Sequence, residues 1–262
     1  MKTSLIISTY NRPDALRLCL LSVMNQTVLP DEVIIGDDGS REETADLIKE
    51  FGKEFPVPLK HIWHEDKGFR LAMMRNKSVA ATTGDYIIEI DGDLILHRKF
   101  VEDHIKFAQK GCYLKGGRTN LGRKLTERLC STGKLRHINI FTRGIESKPE
   151  NSLHLPLIAR YLAPRYRRNK ETALGCNMSF FKSDYIAVNG YDEYYEGWGG
   201  EDWDFGRRLK AYGLKKKHLK FVGNVFHLWH EDKYMLNKEK NMEHCRRDNI
   251  SPVCANGVDK YL

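Results

Sequence analysis

The sequence predicts an α/β fold, with a mostly parallel central sheet and helices on both faces. Three observations carry this. Short β-branched apolar runs alternate with segments of helical period, the pattern of successive βαβ units. Each early run ends in a polar loop, and in such sheets ligands sit outside the carboxyl ends of the strands. A chain of 262 residues, 41% hydrophobic and 30% charged, suits one α/β domain with an appended region and excludes a disordered chain.

The elements follow in order. Thr3 to Thr9 is a β-branched strand run. Behind the turn Tyr10-Asn11-Arg12, with Pro13 in the first helical turn, Leu16, Leu20, Val23 and Met24 recur at helical spacing. The run EVIIGD repeats the strand and closes on Asp37, Asp38 and Gly39, before a helix with an acidic start from Glu42 to about Lys53. LKHIWHE gives a third strand, MMRNKSVAATTG a helix ended by Gly84, and DYIIEID a fourth strand stopping at Asp91. A helix from Phe100 to about Lys110 and a strand CYLKGG come next. Residues 119–170 show amphipathic pieces, Pro156 and Pro164 and no strong period, so they read as a mostly helical, mobile insertion. Regular structure resumes with a strand to Phe181, a helix from Ser183-Asp184 to Gly190, and a helix that begins after Gly199-Gly200 and ends at Gly213. The domain reading is 1–115, an insertion 116–171, a second half 172–235 and a tail 236–262.

Composition narrows the function. The first apolar run is too short for a signal-peptide core, and no run approaches the ~20 apolar residues that cross a bilayer, so a cytoplasmic protein is expected. Six cysteines without a C-x-x-C pair suggest neither a zinc ribbon nor a disulfide framework. The net charge of +8 is uneven: residues 110–170 hold fifteen Lys and Arg against three Glu, leaving the remainder net acidic. Such a segment suits an anionic partner, whether nucleotide, nucleic acid or the inner membrane face, or else a solvated basic surface.

Four clusters could carry chemistry. Asp91 and Asp93 flank Gly92 at a strand end, where residues two apart point the same way and two carboxylates suit Mg²⁺ or Mn²⁺ with positions left for phosphate. The same spacing also occurs in plain turns. His227 and His230 follow an apolar run, and an imidazole beside those carboxylates suits Mn²⁺, with His227 preferred and His230 second. In GWGGEDWDFGRRLKAYG, Asp202, Phe205 and Leu209 share one helical stripe while Asp204 and Arg208 pair on another. Helix capping explains Asp204 without explaining Trp198 and the glycines before it, and the helix dipole is expected to make Asp202 a weaker base. The loops STYNR and GDDGS suit a nucleotide base and ribose, while Lys67, Arg70 and Arg75 are diphosphate contacts or simply solvated charges. No G-x-G-x-x-G or P-loop motif is present, which argues against dinucleotide and P-loop folds.

SLIISTYNRPDAL, EVIIGDDGS and MMRNKSVAATTGDYIIEIDGD together resemble glycosyltransferase family 2, with the GT-A fold. LGCNMSFFKSDYIAVNGYDEYYEGWGGEDWDFGRRLKAYG is similar to the acceptor half of β-1,4-galactosyltransferases. The resemblance implies an inverting transfer from a UDP-sugar, with Mn²⁺ or Mg²⁺, to a glycan or lipid-linked glycan. By position it implies Ser8, Tyr10, Arg12 and Asp38 at the uridine, with Lys67 and Arg75 nearby, and Asp91, Asp93 and His227 or His230 at the metal. Asp91, Trp198, Gly199, Gly200 and Glu201 would line the sugars, and Asp202, beside Glu201, would be the general base. Where the galactosyltransferase motif continues with another acid, this chain has Trp203. Two other readings stand beside this one: a basic nucleic-acid-binding protein, which no recognised motif supports, and an inactive sugar-binding relative.

Overall fold

The computed structural model describes residues 1–163, 173–231 and 235–262. Its strands are β1 (Thr3–Thr9), β2 (Glu32–Asp37), β3 (Leu59–Trp63), β4 (Tyr86–Asp91), β5 (Leu94–Leu96), β6 (Cys112–Gly116), β7 (Thr119–Leu121), β8 (Ile145–Ser147), β9 (Asn177–Phe181), β10 (Lys215–Leu219) and β11 (Val225–His227). The helices are α1 (Pro13–Met24), α2 (Glu42–Gly52), α3 (Leu71–Ala80), α4 (Phe100–Phe107), α5 (Arg123–Thr132), α6 (Pro156–Leu162), α7 (Lys182–Ala187), α8 (Glu201–Ala211) and α9 (Lys238–Arg246).

A seven-stranded sheet in the order β10-β6-β9-β4-β1-β2-β3 forms the centre. β1 pairs in parallel with β2 and β4, β2 with β3, and β10 with β6; β9 alone runs antiparallel, between β4 and β6. Alternation along the inner strands divides the core. Leu5, Ile7, Val33 and Ile35 pack with Leu16, Leu20 and Val23 of α1 on one face. Ile6, Ile34 and Ile87 pack with Ala72 and Val79 of α3 and with Phe205 and Leu209 of α8 on the other. Strands covered on both sides must be apolar throughout, which is why these runs read so clearly. The sheet also passes through the expected domain boundaries, since β9 from the second half lies between two strands of the first.

The middle segment carries the expected helices, α5 and α6, and in addition two short strands. β7 and β8 join β5 and β11 in a second sheet of four strands, ordered β5-β11-β7-β8, with α5 packed beside it. Three-residue strands are too short to display an alternation, so no local pattern marks them. Residues 164–171 of that segment lie outside the described residues. Two further elements were not expected: β10, whose KKKHL lacks an apolar period, and α9 in the tail. β10 lies at the sheet edge, where lysines hinder pairing with a further strand. Among the described residues no helix is long and apolar enough to cross a membrane.

The polar pair expected on α8 is present and fully buried: Arg208 Nε donates to Asp204 Oδ2 at 2.6 Å, and Arg208 Nη1 donates to the Val188 carbonyl at 2.9 Å. Arg247 reaches the other Asp204 oxygen at 2.9 Å, tying the chain beyond α9 to α8. Removing Asp204 leaves the buried Arg208 charge without its carboxylate. Asp204→Ala is therefore expected to lower the unfolding free energy by about 3–5 kcal/mol, read as a lower urea midpoint with an unchanged m-value.

Candidate functional site

At the carboxyl ends of β1, β2 and β4 lies an open cavity of about 1130 Å³. Of the residues singled out from the sequence, Ser8, Tyr10, Arg12, Asp38, Arg75, Asp91, Asp93, Trp198, Gly199, Gly200, Glu201, Asp202, His227 and His230 all line it. Lys67 does not; it is exposed and paired with Glu65 at 2.9 Å, so the expected diphosphate contact from Lys67 is not supported.

On the β1–β2 side, the Tyr10 hydroxyl donates to Asp66 Oδ2 at 2.8 Å. Asp38 is held beneath by His64 Nε2 at 2.6 Å and by the Arg70 backbone N–H at 2.9 Å. Lys77 Nζ lies 3.1 Å from His64 Nδ1 and donates to it, which leaves Nε2 as the protonated nitrogen facing Asp38. The carboxylate of Asp38 is thereby fixed in orientation at the cavity floor.

Beyond β4, the tight turn at Gly92 brings Asp93 next to β11. Added to Gly92, a Cβ would lie 3.1 Å from the Ser8 carbonyl oxygen, tighter than ordinary contact, so glycine lets the turn approach β1 this closely without a shift of its neighbours. Asp93 Oδ2 lies 3.5 Å from His227 Nε2, 3.3 Å from His230 Nε2 and 3.6 Å from Arg12 Nη1. Asp93, His227 and His230 place three ligand atoms within 4.8 Å of one another. His227 comes from a strand paired antiparallel with β5, opposite Leu94, and this register carries it to Asp93. Burial, then Arg118, pushes the His227 imidazole down to about 3, which keeps it neutral with a lone pair available. Asp91 and Asp93 are both pushed up, chiefly by burial, with each other's charge adding for Asp91. Asp93 Oδ1 is buried without a hydrogen-bond partner among the described residues. Two crowded carboxylates, an orphan oxygen and a neutral imidazole fit a divalent cation of mixed O and N preference such as Mn²⁺.

Arg75 lies under this group. The sequence left it as a diphosphate contact or a solvated charge, but its position on the buried face of α3 makes it 2% exposed. Its Nε lies 3.3 Å from Glu89, Nη2 3.2 Å from Asp91 and Nη1 3.5 Å from Glu201. A Cβ on Gly175 would stand 2.3 Å from Nη2, so glycine there leaves the guanidinium its space.

Glu201 and Asp202 form the first turn of α8, entered through Gly200 at φ 94°. Asp202 Oδ2 accepts a long bond of 3.4 Å from the Gly175 N–H. The helix dipole was expected to hold Asp202 down; instead burial pushes it up, against the pull of Arg75 and of the Gly175 and Trp203 N–H groups. Glu201 rises to about 7, through burial and then the charge of Asp202.

Several cavity residues were missed. Arg118 and Cys176 line the inner wall, with Arg118 Nη1 3.6 Å from Cys176 Sγ, and Lys238, Met242 and Arg246 of α9 close the side near Trp198. Lys238 Nζ stands 5.0 Å from the centre of the Trp198 ring. Arg118 was hidden within the basic segment, and α9 had no apolar period to mark it.

Residues 4–129 match the family described as Glycosyl transferase family 2, and residues 156–231 match the one described as N-terminal domain of galactosyltransferase. Chondroitin synthase of Escherichia coli is 27% identical over 80% of this chain and 32% of its own length. The chain spans 23 to 48% of the length of the first curated relatives it matches. Among solved structures, the mannosyltransferase PcManGT from Pyrobaculum calidifontis in complex with GDP-Man and Mn²⁺ is 14% identical at a TM-score of 0.62, over 93% of this chain and 61% of that one. S. aureus TarS 1-349 in complex with UDP is 17% identical at a TM-score of 0.59, over 86% and 60%. These likenesses establish the GT-A fold.

The buried carboxylates make a pH-dependent prediction. Glu89 is pushed up to about 7, first by burial, with Arg75 opposing and Asp91 and Asp202 adding. A raised carboxylate contributes stability below its unfolded value near 4.5, and that contribution is lost as pH rises through the folded value. Glu89→Gln mimics the protonated form. With chelator present it is expected to gain on the natural protein by about 2 kcal/mol between pH 5 and pH 8, measured by denaturant unfolding at both pH values.

Proposed function

Because the chain is built on a glycosyltransferase family 2 domain continued by a galactosyltransferase-type segment, we propose that it moves a hexose or N-acetylhexosamine from a UDP-sugar to a hydroxyl of a glycan or lipid-linked glycan, with inversion, a divalent cation and Asp202 as general base. One observation carries the proposal: the Asp91-Gly92-Asp93 turn and the first turn of α8 border one cavity and are linked through Arg75. Its volume, about 1130 Å³, has room for a nucleotide-sugar together with part of an acceptor.

Ser8, Tyr10, Arg12 and Asp38 would take the nucleoside, with Asp38 accepting from N–H or O–H groups. Asp93, His227, His230 and Asp91 would hold the cation, whose chemistry is to neutralise charge on the departing diphosphate. Trp198 offers a ring face to a sugar, and the backbone of Gly199 and Gly200 allows close approach. Asp202 receives the acceptor hydroxyl proton as that oxygen bonds to the anomeric carbon and the bond to the diphosphate oxygen breaks. A single displacement of this kind inverts the configuration. Glu201 is ion-paired with the Arg75 guanidinium, whereas Asp202 accepts from backbone N–H groups of Gly175 and Trp203, so Asp202 is the acid assigned the proton. Burial strengthens it as a base relative to a surface aspartate.

Asp202→Asn is expected to lower kcat about 10²- to 10⁴-fold while leaving the affinity for UDP-sugar near its original value, checked by transfer kinetics beside donor titration. A thermal-shift comparison of UDP-, GDP- and CDP-sugars with and without Mn²⁺ should give the largest rise for a UDP-sugar with Mn²⁺, and Asp93→Asn should remove the Mn²⁺-dependent part. A larger rise with a GDP-sugar would overturn the donor assignment.

A further inference from the structure

α6 buries Ala159 in the core but exposes Leu157 by 81%, Ile158 by 47% and Tyr161 by 63%. Leu155, just before the helix, is exposed as well. Single exposed apolar residues are ordinary; a cluster on one short helix marks an interaction face.

The surroundings are cationic. Arg160 is exposed on the same helix. The Leu155 N–H donates to the Phe221 carbonyl at 2.9 Å, which brings the neighbouring Lys220 alongside. Lys220 Nζ donates to Asn151 Oδ1 at 2.8 Å, and Lys148 is exposed just before the turn that holds Asn151. Glu150 lies 3.8 Å from Lys220.

We infer that this face docks on an anionic lipid bilayer, with Leu157, Ile158 and Tyr161 entering the boundary between headgroups and acyl chains while Arg160 and Lys148 meet lipid phosphates. An apolar tip with a cationic rim is what an interfacial helix offers a membrane. A few side chains on a seven-residue helix fall short of the ~800 Å² per partner that a stable protein interface buries, which disfavours a second protein as the occupant. Asn151, which accepts from Lys220, also donates through Nδ2 to the carbonyl of the cavity residue Arg118 at 2.9 Å, so the cationic side of this face adjoins a residue of the cavity wall. An acceptor carried on lipid would then be held near the cavity; that consequence rests on the proposed transfer, whereas the docking does not.

The test is vesicle co-sedimentation of the full chain. Expected are partition onto phosphatidylcholine vesicles containing phosphatidylglycerol, little onto phosphatidylcholine alone, and a decline with salt. Leu157→Asp/Tyr161→Asp should lower the partition coefficient by at least about tenfold with an unchanged melting temperature. Should that variant melt early, Lys148→Glu/Arg160→Glu, at exposed positions, carries the same expectation. No partition by the natural protein, or equal partition by the variants, overturns the inference. So does a change in oligomeric state of Leu157→Asp/Tyr161→Asp on gel filtration with vesicle binding intact. Transfer to a soluble acceptor, measured in parallel, keeps a failure here separate from a failure of the catalytic reading.

Discussion

One buried cation organises the cavity. Arg75 reaches Glu89 inside β4, Asp91 at its end and Glu201 at the start of α8, so a strand, a helix and the loop at Gly175 are all fitted around one guanidinium. Arginine suits the position because its planar fork addresses several carboxylates at once and it stays charged when buried. Arg75 also lies over the Tyr191 ring, 5.0 Å from its centre, and the Tyr191 hydroxyl donates to Glu89 at 2.6 Å, so the ion group is anchored in the aromatic core beneath. Glu89, Asp91, Glu201, Asp202 and Asp93 are all pushed up, first by burial, and neighbouring carboxylates add for all but Asp93, which faces Arg12 and Arg118 as well. A site with surplus negative charge in partial burial either binds protons or takes a cation, and the two imidazoles beside Asp93 favour the second outcome.

Much of this arrangement was legible in the sequence, and the reason is periodicity. β1, β2 and β4 are covered on both faces and therefore read as unbroken apolar runs, so the loops after them were located before their neighbours were known. The tract GWGGED was legible for a different reason: glycines before a cluster of acids are poorly explained by capping alone, and Gly197, Gly199 and Gly200 are all left-handed. The segments that stayed illegible share a physical cause. β7, β8 and β11 are each three residues long and gain their order from pairing with one another and with β5, a long-range effect that no local pattern records. β10 has a lysine-rich edge in place of an apolar period, and α9 owes its position to contacts with α8, including the reach of Arg207 to the Cys245 carbonyl.

Site chemistry was less legible than site position. Nothing in RNKSVA separates Arg75, buried among carboxylates, from Lys77 two residues on, because burial of a charge is decided by partners distant in sequence. Glu89 has the same difficulty: in DYIIEID it reads as the polar face of a strand, yet it is fully buried and paired with Arg75. Charge is poor evidence of exposure where opposite charges are brought together.

Asp202 shows how competing effects are decided by magnitude. At an exposed helix start the dipole favours an ionised acid by about 0.3–1 kcal/mol, less than one pKa unit, whereas burial can raise a carboxylate by several units. The tight turn through Gly200 sets the first turn of α8 inside the cavity rather than on the surface, and there burial wins even against Arg75 and two backbone N–H groups. The same turn explains the glycine itself: at φ 94°, with Tyr195 2.8 Å from where a Cβ would stand, a larger residue would need both a strained backbone and a displaced ring. Moving Asp202 outward by that route would return the dipole to dominance and leave an ordinary, weakly basic helix cap. The basicity of this carboxylate is therefore a property of the backbone path that precedes it as much as of its own side chain.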